Sequence, residues 1–535
     1  MGGGGERDGA VARLASSVVA GEAALARAAR RRLEALLGGP ARTYVIVLFA
    51  CLLGLEAADL SAVGAAASEL RSALHIDDTE LGLLAALPSL SAAIAALPVG
   101  MLTDRVRRVP MLVIGVVIWA GAMIACSAAD SFGQLLIFRI GLGAATAVAG
   151  PTLASLTGDF FLPSERSRVY GFILTGELIG TGFGLLVSGE LAAVFGWRAA
   201  FWSLAPFALA LAYFLIRLPE PSRGGTSMLR PGAEEIPVRH VADARAPAEG
   251  GGHRQAAPGH DPAMVRAVLR EEAQPLQELV LDVDPSRLSI RRAVEYVLAV
   301  KTNVAIIIAS ALGYFFTAGI RTFGVLYLHQ HFRVVSALAT LMLMVVSSGA
   351  LIGTIGGGRL SDWLLSRGHT KARILIGGWG YIIAGALLIP GVLVARFTIA
   401  LPLLILAGIA LSAPNPAIDA ARLDIIHSRL WGRAEGVRSV LRTSSVAIAP
   451  LLFGAIADLI GGNSPHAAAR SGYSASAVGL QYTFVIMVVP MVIAGIVLLR
   501  VRKRYPREVA SALEWERRTG HGQSFPHADA ALHAP

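Results

Sequence analysis

An all-α polytopic membrane protein, with twelve transmembrane helices in two pseudo-symmetric six-helix bundles, is the fold class this sequence predicts. Three observations predict it. The chain is 54% hydrophobic and only 16% charged over 535 residues, with a mean hydropathy of +0.61, whereas soluble domains carry charge on about a quarter of their residues. Twelve runs are long enough to cross about 30 Å of hydrocarbon at 1.5 Å of rise per residue. The third is an internal copy. Gly100-Met-Leu-Thr-Asp104-Arg105-Val-Arg107-Arg108 ends the second apolar run, and Gly358-Arg-Leu-Ser-Asp362, with Arg367, Lys371 and Arg373 behind it, ends the eighth. A second pattern repeats at nearly the same offset: Asp159, Arg168 and Gly171 in the first half, Asp424, Arg433 and Gly436 in the second. Two copied patterns in register imply duplicated halves of six spans each.

In chain order, residues 1–42 read as a basic, alanine-rich tail ending in Arg30-Arg31-Arg32, with no cleavable secretory signal. The first bundle is expected over 43–217, with spans 43–66, 80–102, 109–128, 132–158, 165–194 and 199–216. A linker follows over 218–299. Its Pro/Gly/Ala-rich part to His260 is expected to be disordered, and Asp261-Pro262 and Asp284-Pro285 each predict the start of a short amphipathic helix. The second bundle is expected over 300–500, with spans 300–328, 337–360, 372–394, 397–421, 433–460 and 478–500, then a tail over 501–535. Alternate loops hold the arginine clusters, which predicts both termini in the cytoplasm of a cell-membrane protein.

Composition also excludes classes. The net charge of +10 sits in loops and tails bordering apolar spans, so membrane topology explains it and no nucleic-acid partner is expected. Cys51 and Cys126 lie inside apolar runs and read as small buried hydrophobes, with no disulfide or metal site implied. No phosphate-binding glycine loop is present, so ATP is not the expected energy source, and no cofactor is expected.

The loop Gly100 to Arg108, its weaker copy, the D-x8-R-x2-G repeats and Gly196-Trp197-Arg198 resemble the major facilitator superfamily of secondary transporters over essentially the whole membrane portion. The run from Glu56-Ala-Ala-Asp59 to Asp78-Thr-Glu-Leu-Gly-Leu83 resembles its spinster-like group, with Leu60 where that group often carries arginine; the anion:cation symporters share much of the pattern. The resemblance implies no enzyme but a carrier, expected as a monomer, that moves a small amphipathic or anionic solute, lysolipid-like or an organic anion, by alternating access coupled to protons. A non-transporting receptor or scaffold is the other reading.

Individual residues take roles within that expectation. Glu56 and Asp59 share a face of the first span, where each buried charge costs roughly 3 kcal/mol on an insertion scale unless wet, paired or protonated. Arg139 reaches the depth of Asp59 and matches the superfamily's R-x-x-x-G in the fourth span, so an Asp59–Arg139 pair acting as a proton switch is expected. Glu177, Arg321 and Asn415 complete the cavity set, with Arg321 and Arg139 together able to receive an anionic group. Asp104 is expected to meet the positive end of the eleventh helix near Gly432 to Glu435. Arg105 and Arg108 should pair with Asp159 or Glu165, and Gly358, Asp362, Asp424 and Arg433 play the matching parts in the second half. Finally, Gly176, Gly180 and Gly184 in the fifth span and Gly349, Gly353 and Gly357 in the eighth form small-residue stripes, expected to face each other across the halves as a rocking seam. Thr181 stands where an antiporter pattern would have proline.

Overall fold

A computed structural model describes residues 27–28, 31–76, 78–223, 229, 233, 268, 273–281, 285, 288–334, 336–462 and 475–520. Among them there is helix and turn but no strand. Among the described residues, twelve helices are long and apolar enough to cross a membrane: Pro40–Ala65, Ala86–Arg105, Arg108–Ser127, Phe132–Phe160, Pro163–Ala192, Trp197–Ile216, Lys301–Phe332, Leu341–Ser366, Ala372–Leu393, Phe397–Ile425, Ser428–Gly461 and Ala477–Val501. They are called spans 1 to 12.

Local chemistry sets several boundaries. Span 1 starts on Pro40, whose missing N–H is harmless at a helix start. Ser131 caps span 4 by accepting from the Gln134 amide at 3.3 Å. Gly196, at φ +84°, makes the turn between spans 5 and 6, in a region that side chains with a Cβ rarely enter. Spans 4 and 10 are each broken near mid-length, after Thr146 and after Ser412 respectively, with Gly150-Pro151 and Pro414-Asn-Pro416 following the breaks.

Each half packs as a bundle, and the glycine stripes are what bring its helices together. A Cβ at Gly176, Gly180 or Gly184 would overlap the backbone of Ala50, Gly54 or Ala58 on span 1. The stripe Gly349, Gly353 and Gly357 meets Ile405, Ile409 and Ala413 on span 10 in the same way. The expected seam between spans 5 and 8 is therefore corrected: these stripes seal each bundle internally. Spans 5 and 8 do meet across the halves, but through Gly171 against Thr354 and Gly358 against Ser167. Glycine spacing fixes which helix face is small, not which neighbour it finds.

The loops with the arginine clusters lie at one end, here the basic end. The chain enters and leaves the bundles there: Arg42 pairs with Glu165 at 2.7 Å, and the helix Tyr505–Gly520 after span 12 donates from Tyr505 to Asp424. The helix expected from Asp284-Pro285 begins instead at Ile290 and runs to Ala299, because Ser289 supplies the cap, accepting from Arg292 N at 3.4 Å. The helix expected at Asp261-Pro262, most of the stretch expected to be disordered and Arg30 lie outside the described residues.

Candidate functional site

Two carboxylates bridge the halves at the basic end. Asp104, at the end of span 2, accepts from the backbone amides of Gly432 and Arg433, both at 3.0 Å, at the start of span 11, and lies 3.4 Å from the Arg433 guanidinium. The arrangement places a negative charge at a helix N-terminus, where unsatisfied amides and the helix dipole both favour it. It is made possible by glycine: a Cβ on Gly432 would stand 2.5 Å from Asp104 Oδ1, and one on Gly100 would stand 2.6 Å from the Gly432 carbonyl oxygen. In the other half Asp362 accepts from the Arg168 amide at 2.7 Å, at the start of span 5. Behind each latch stands the same buried pair, Arg108 with Asp159 and Arg373 with Asp424. Arg108 also holds Glu220 at 2.9 Å, and Arg373 holds Asp362 at 3.4 Å. Arg105 departs from expectation. It is exposed at the last turn of its helix, while Asp159 and Glu165 are taken by Arg108 and Arg42.

Inside the first bundle Asp59 Oδ1 accepts from Arg139 Nη1 at 2.5 Å. Both are buried, and the guanidinium lies over the Phe201 ring, 5.8 Å from its centroid. Gly143, one turn on, lets span 4 press onto the Pro88 backbone of span 2. Arg139 and Arg321, expected to receive an anionic group together, each already hold a carboxylate of the protein, Asp59 and Glu177 respectively. Arg321 reaches across the halves to Glu177 at 2.8 Å. Glu56, one turn before Asp59, is half-buried and lines a small, mostly apolar cleft with Leu52, Leu55, Leu112, Val116 and Trp119. Asn415, beside the break in span 10, accepts from the Tyr381 hydroxyl at 3.4 Å.

The second bundle holds a network that the sequence reading missed. Asp419 pairs with Arg438 at 2.5 Å, Glu435 pairs with Arg422 and with Arg438 at 3.2 Å, Ser439 donates to Glu435 at 3.2 Å, and Arg438 donates to Ser310 at 3.1 Å. All four charged groups are buried. Burying each of these charges is costly, and the mutual pairing, with the hydroxyls of Ser310 and Ser439, offsets it. The signal existed in the sequence: Asp419 and Arg422 stand at i and i+3 on span 10, and Glu435, Arg438 and Arg442 at i, i+3 and i+7 on span 11, one face in each case. Tyr170 of span 5 faces the network from the other half. Arg442 lies over the Tyr314 ring, 4.9 Å from its centroid.

This arrangement is two six-span bundles joined at one end through paired charges, the architecture of a polytopic membrane protein with duplicated halves. A profile of the Major Facilitator Superfamily matches residues 49–450, and the chain belongs to that family. It is 32% identical over 177 residues to the "Multidrug transporter AQR1" of Candida glabrata, covering 31% of this chain and 28% of that protein. It is 31% identical over 162 residues to the "Probable L-galactonate transporter" of Escherichia coli, covering 30% and 36%. The chain thus spans about a third of the length of these relatives. Among solved structures, a bacterial homolog of the human lysosomal transporter Spinster, inward-facing and occupied, superposes with a TM-score of 0.53 at 19% identity, over 87% of this chain and 97% of that one. That likeness concerns the fold.

Proposed function

We propose that this chain is a proton-coupled secondary carrier of a small amphipathic or anionic organic solute, working by alternating access in the cell membrane with both termini in the cytoplasm. The observation that carries the reading is the Asp59–Arg139 pair at 2.5 Å, sealed within the first bundle one helical turn from half-buried Glu56. A carboxylate there is held ionised by its arginine and pressed toward protonation by the loss of water, so a proton taken up breaks the pair and changes which packing of spans 1 and 4 is favoured. Asp104 and Asp362 would then hold the basic end shut in one state and release it in the other. The alternation of arginine-rich loops supports the orientation. The names of the relatives, a multidrug and an L-galactonate transporter, support small organic solutes as cargo.

Purified protein in proteoliposomes tests the reading, with uptake of multidrug-type dyes, lysolipids and sugar acids measured with and without a pH gradient. Wild type should accumulate at least one solute only when the gradient is imposed. Asp59→Asn should insert normally, retain exchange of that solute at equilibrium and lose accumulation. Accumulation by Asp59→Asn equal to wild type would remove the proton switch from the reading.

A further inference from the structure

We infer that Arg168 and Arg359 form a binding site for the phosphate of an anionic phospholipid, at the edge of the seam between spans 5 and 8 at the basic end. The bound lipid ties the two halves together there.

The two arginines come from opposite halves onto one ring. Arg168 of span 5 lies over Phe172, 5.9 Å from its centroid, and Arg359 of span 8 lies over the same ring at 5.3 Å. Two positive groups so placed repel each other, and the carboxylates near them are already engaged. Glu165 is held by Arg42 at 2.7 Å. Asp362 takes the Arg168 amide, rather than its guanidinium, at 2.7 Å and has Arg373 at 3.4 Å. Among the described residues the Arg168 guanidinium donates to a carbonyl, that of Leu36. The duplicated position shows what occupying such a site takes. Arg433 repeats Arg168 in the D-x8-R-x2-G pattern, but it is buried, with Asp104 at 3.4 Å and the linker carbonyls of Pro285 and Leu288 at 3.1 and 3.4 Å. Met101 stands where Arg359 does in the copied loop, so that seam gathers no second cation. One seam is covered from within the chain, while the other keeps two guanidiniums open to an outside anion.

The surroundings select a lipid over a soluble anion. Arg359 is exposed about two turns inside the end of span 8, and Leu360 and Trp363 beside it are exposed too. Tryptophan in such a place marks the headgroup level of a bilayer. A charge on that apolar surface has to reach water or meet an anion. Toward mid-span Gly356 is exposed and a Cβ on it would touch nothing, which leaves room for an acyl chain beside exposed Ile352. Guanidinium forks grip phosphate oxygens through paired N–H groups, and basic pockets between spans on the cytoplasmic side collect anionic headgroups. A single phosphate held from both halves reinforces the contact that Asp362 makes with the Arg168 amide.

Native mass spectrometry of the delipidated full-length protein tests this, with phosphatidylglycerol and phosphatidylcholine of equal chain length in competition. Wild type should prefer phosphatidylglycerol by about tenfold or more. Arg168→Gln together with Arg359→Gln should bring the preference down to about twofold or less. Arg291→Gln together with Arg396→Gln removes the same charge from exposed positions elsewhere and should leave the preference unchanged. Arg168→Lys with Arg359→Lys should lower it about threefold, because lysine lacks the fork. Excess inorganic phosphate should not displace the lipid. Melting curves show which variants fold, and if the glutamine pair does not, the lysine pair decides alone. Equal binding of the two lipids by wild type, a preference undiminished in the folded glutamine pair or in the deciding lysine pair, or an equal loss in the control pair would each overturn the inference. Displacement by inorganic phosphate would replace it with a site for a soluble anion.

Discussion

The two halves repeat each other at the basic end and part company inside the membrane. At the basic end the same parts recur: an aspartate on the amide of the opposite half, Asp104 or Asp362, and behind it an arginine–aspartate pair, Arg108–Asp159 or Arg373–Asp424. Within the spans, the first half keeps one sealed pair, Asp59–Arg139, whereas the second builds a four-member network and adds Arg442. Under the proposed function, the duplicated frame would serve two latches that work as a pair. The asymmetric interior is where a cargo and a proton would be told apart.

The latches themselves are unequal. Asp104 accepts two backbone amides and sits beside Arg433, which is in turn held by the linker carbonyl of Pro285 at 3.1 Å. Asp362 accepts one amide and has Arg373 at 3.4 Å.

The largest expected effect is on the network. Arg438→Gln leaves Asp419 and Glu435 short of a counter-charge in a dry interior, which should cost about 3–5 kcal/mol of stability, seen as a fall in melting temperature in detergent. The paired change Asp419→Asn with Arg438→Gln should recover much of the loss. If the single variant melts like wild type, the network is wet and the contrast between the halves dissolves.

Next comes the glycine packing within each bundle. Gly180→Val drives a branched side chain into the Gly54 backbone and should destabilise the first bundle by about 1–3 kcal/mol, read by the same melting assay. Gly182, whose Cβ would meet open space, should tolerate alanine with a change of well under 1 kcal/mol.

The latch comparison predicts smaller, directional effects. Asp104→Asn should weaken basic-end closure by about 1–3 kcal/mol, and Asp362→Asn by less, because fewer amides lose a charged acceptor. Thiol accessibility of cysteines placed in the loops of the basic end measures both. Equal effects would mean that the guanidiniums, rather than the helix amides, carry the latch. Glu177→Gln removes a partly exposed cross-half pair and should cost under about 1 kcal/mol.

Much of this frame was legible in the sequence because hydrocarbon thickness imposes span length, and span boundaries need only composition. The latch aspartates were legible because a charged loop repeats at one offset in both halves. The Asp419 network was hidden: Arg422 and Glu435 sit next to the edges of their apolar runs, where arginine and glutamate ordinarily meet water, and only the helical face they share with Asp419 and Arg438 gives them away. The glycine stripes were read onto the wrong partner because a small face says that a helix is close, while topology decides which helix it is. The positions of the breaks in spans 4 and 10 bear on the cargo path, since interrupted helices at matching places in two halves commonly border a midplane site.

The most direct test of the central claim is the distance between spin labels placed on spans 1 and 7 at the end opposite the latches, measured by pulsed electron resonance in lipid nanodiscs from pH 5 to pH 9. The account predicts two distance populations whose ratio shifts with pH in wild type and stays fixed in Asp59→Asn. A single distance unchanged by pH, or a shift that survives in Asp59→Asn, would contradict it.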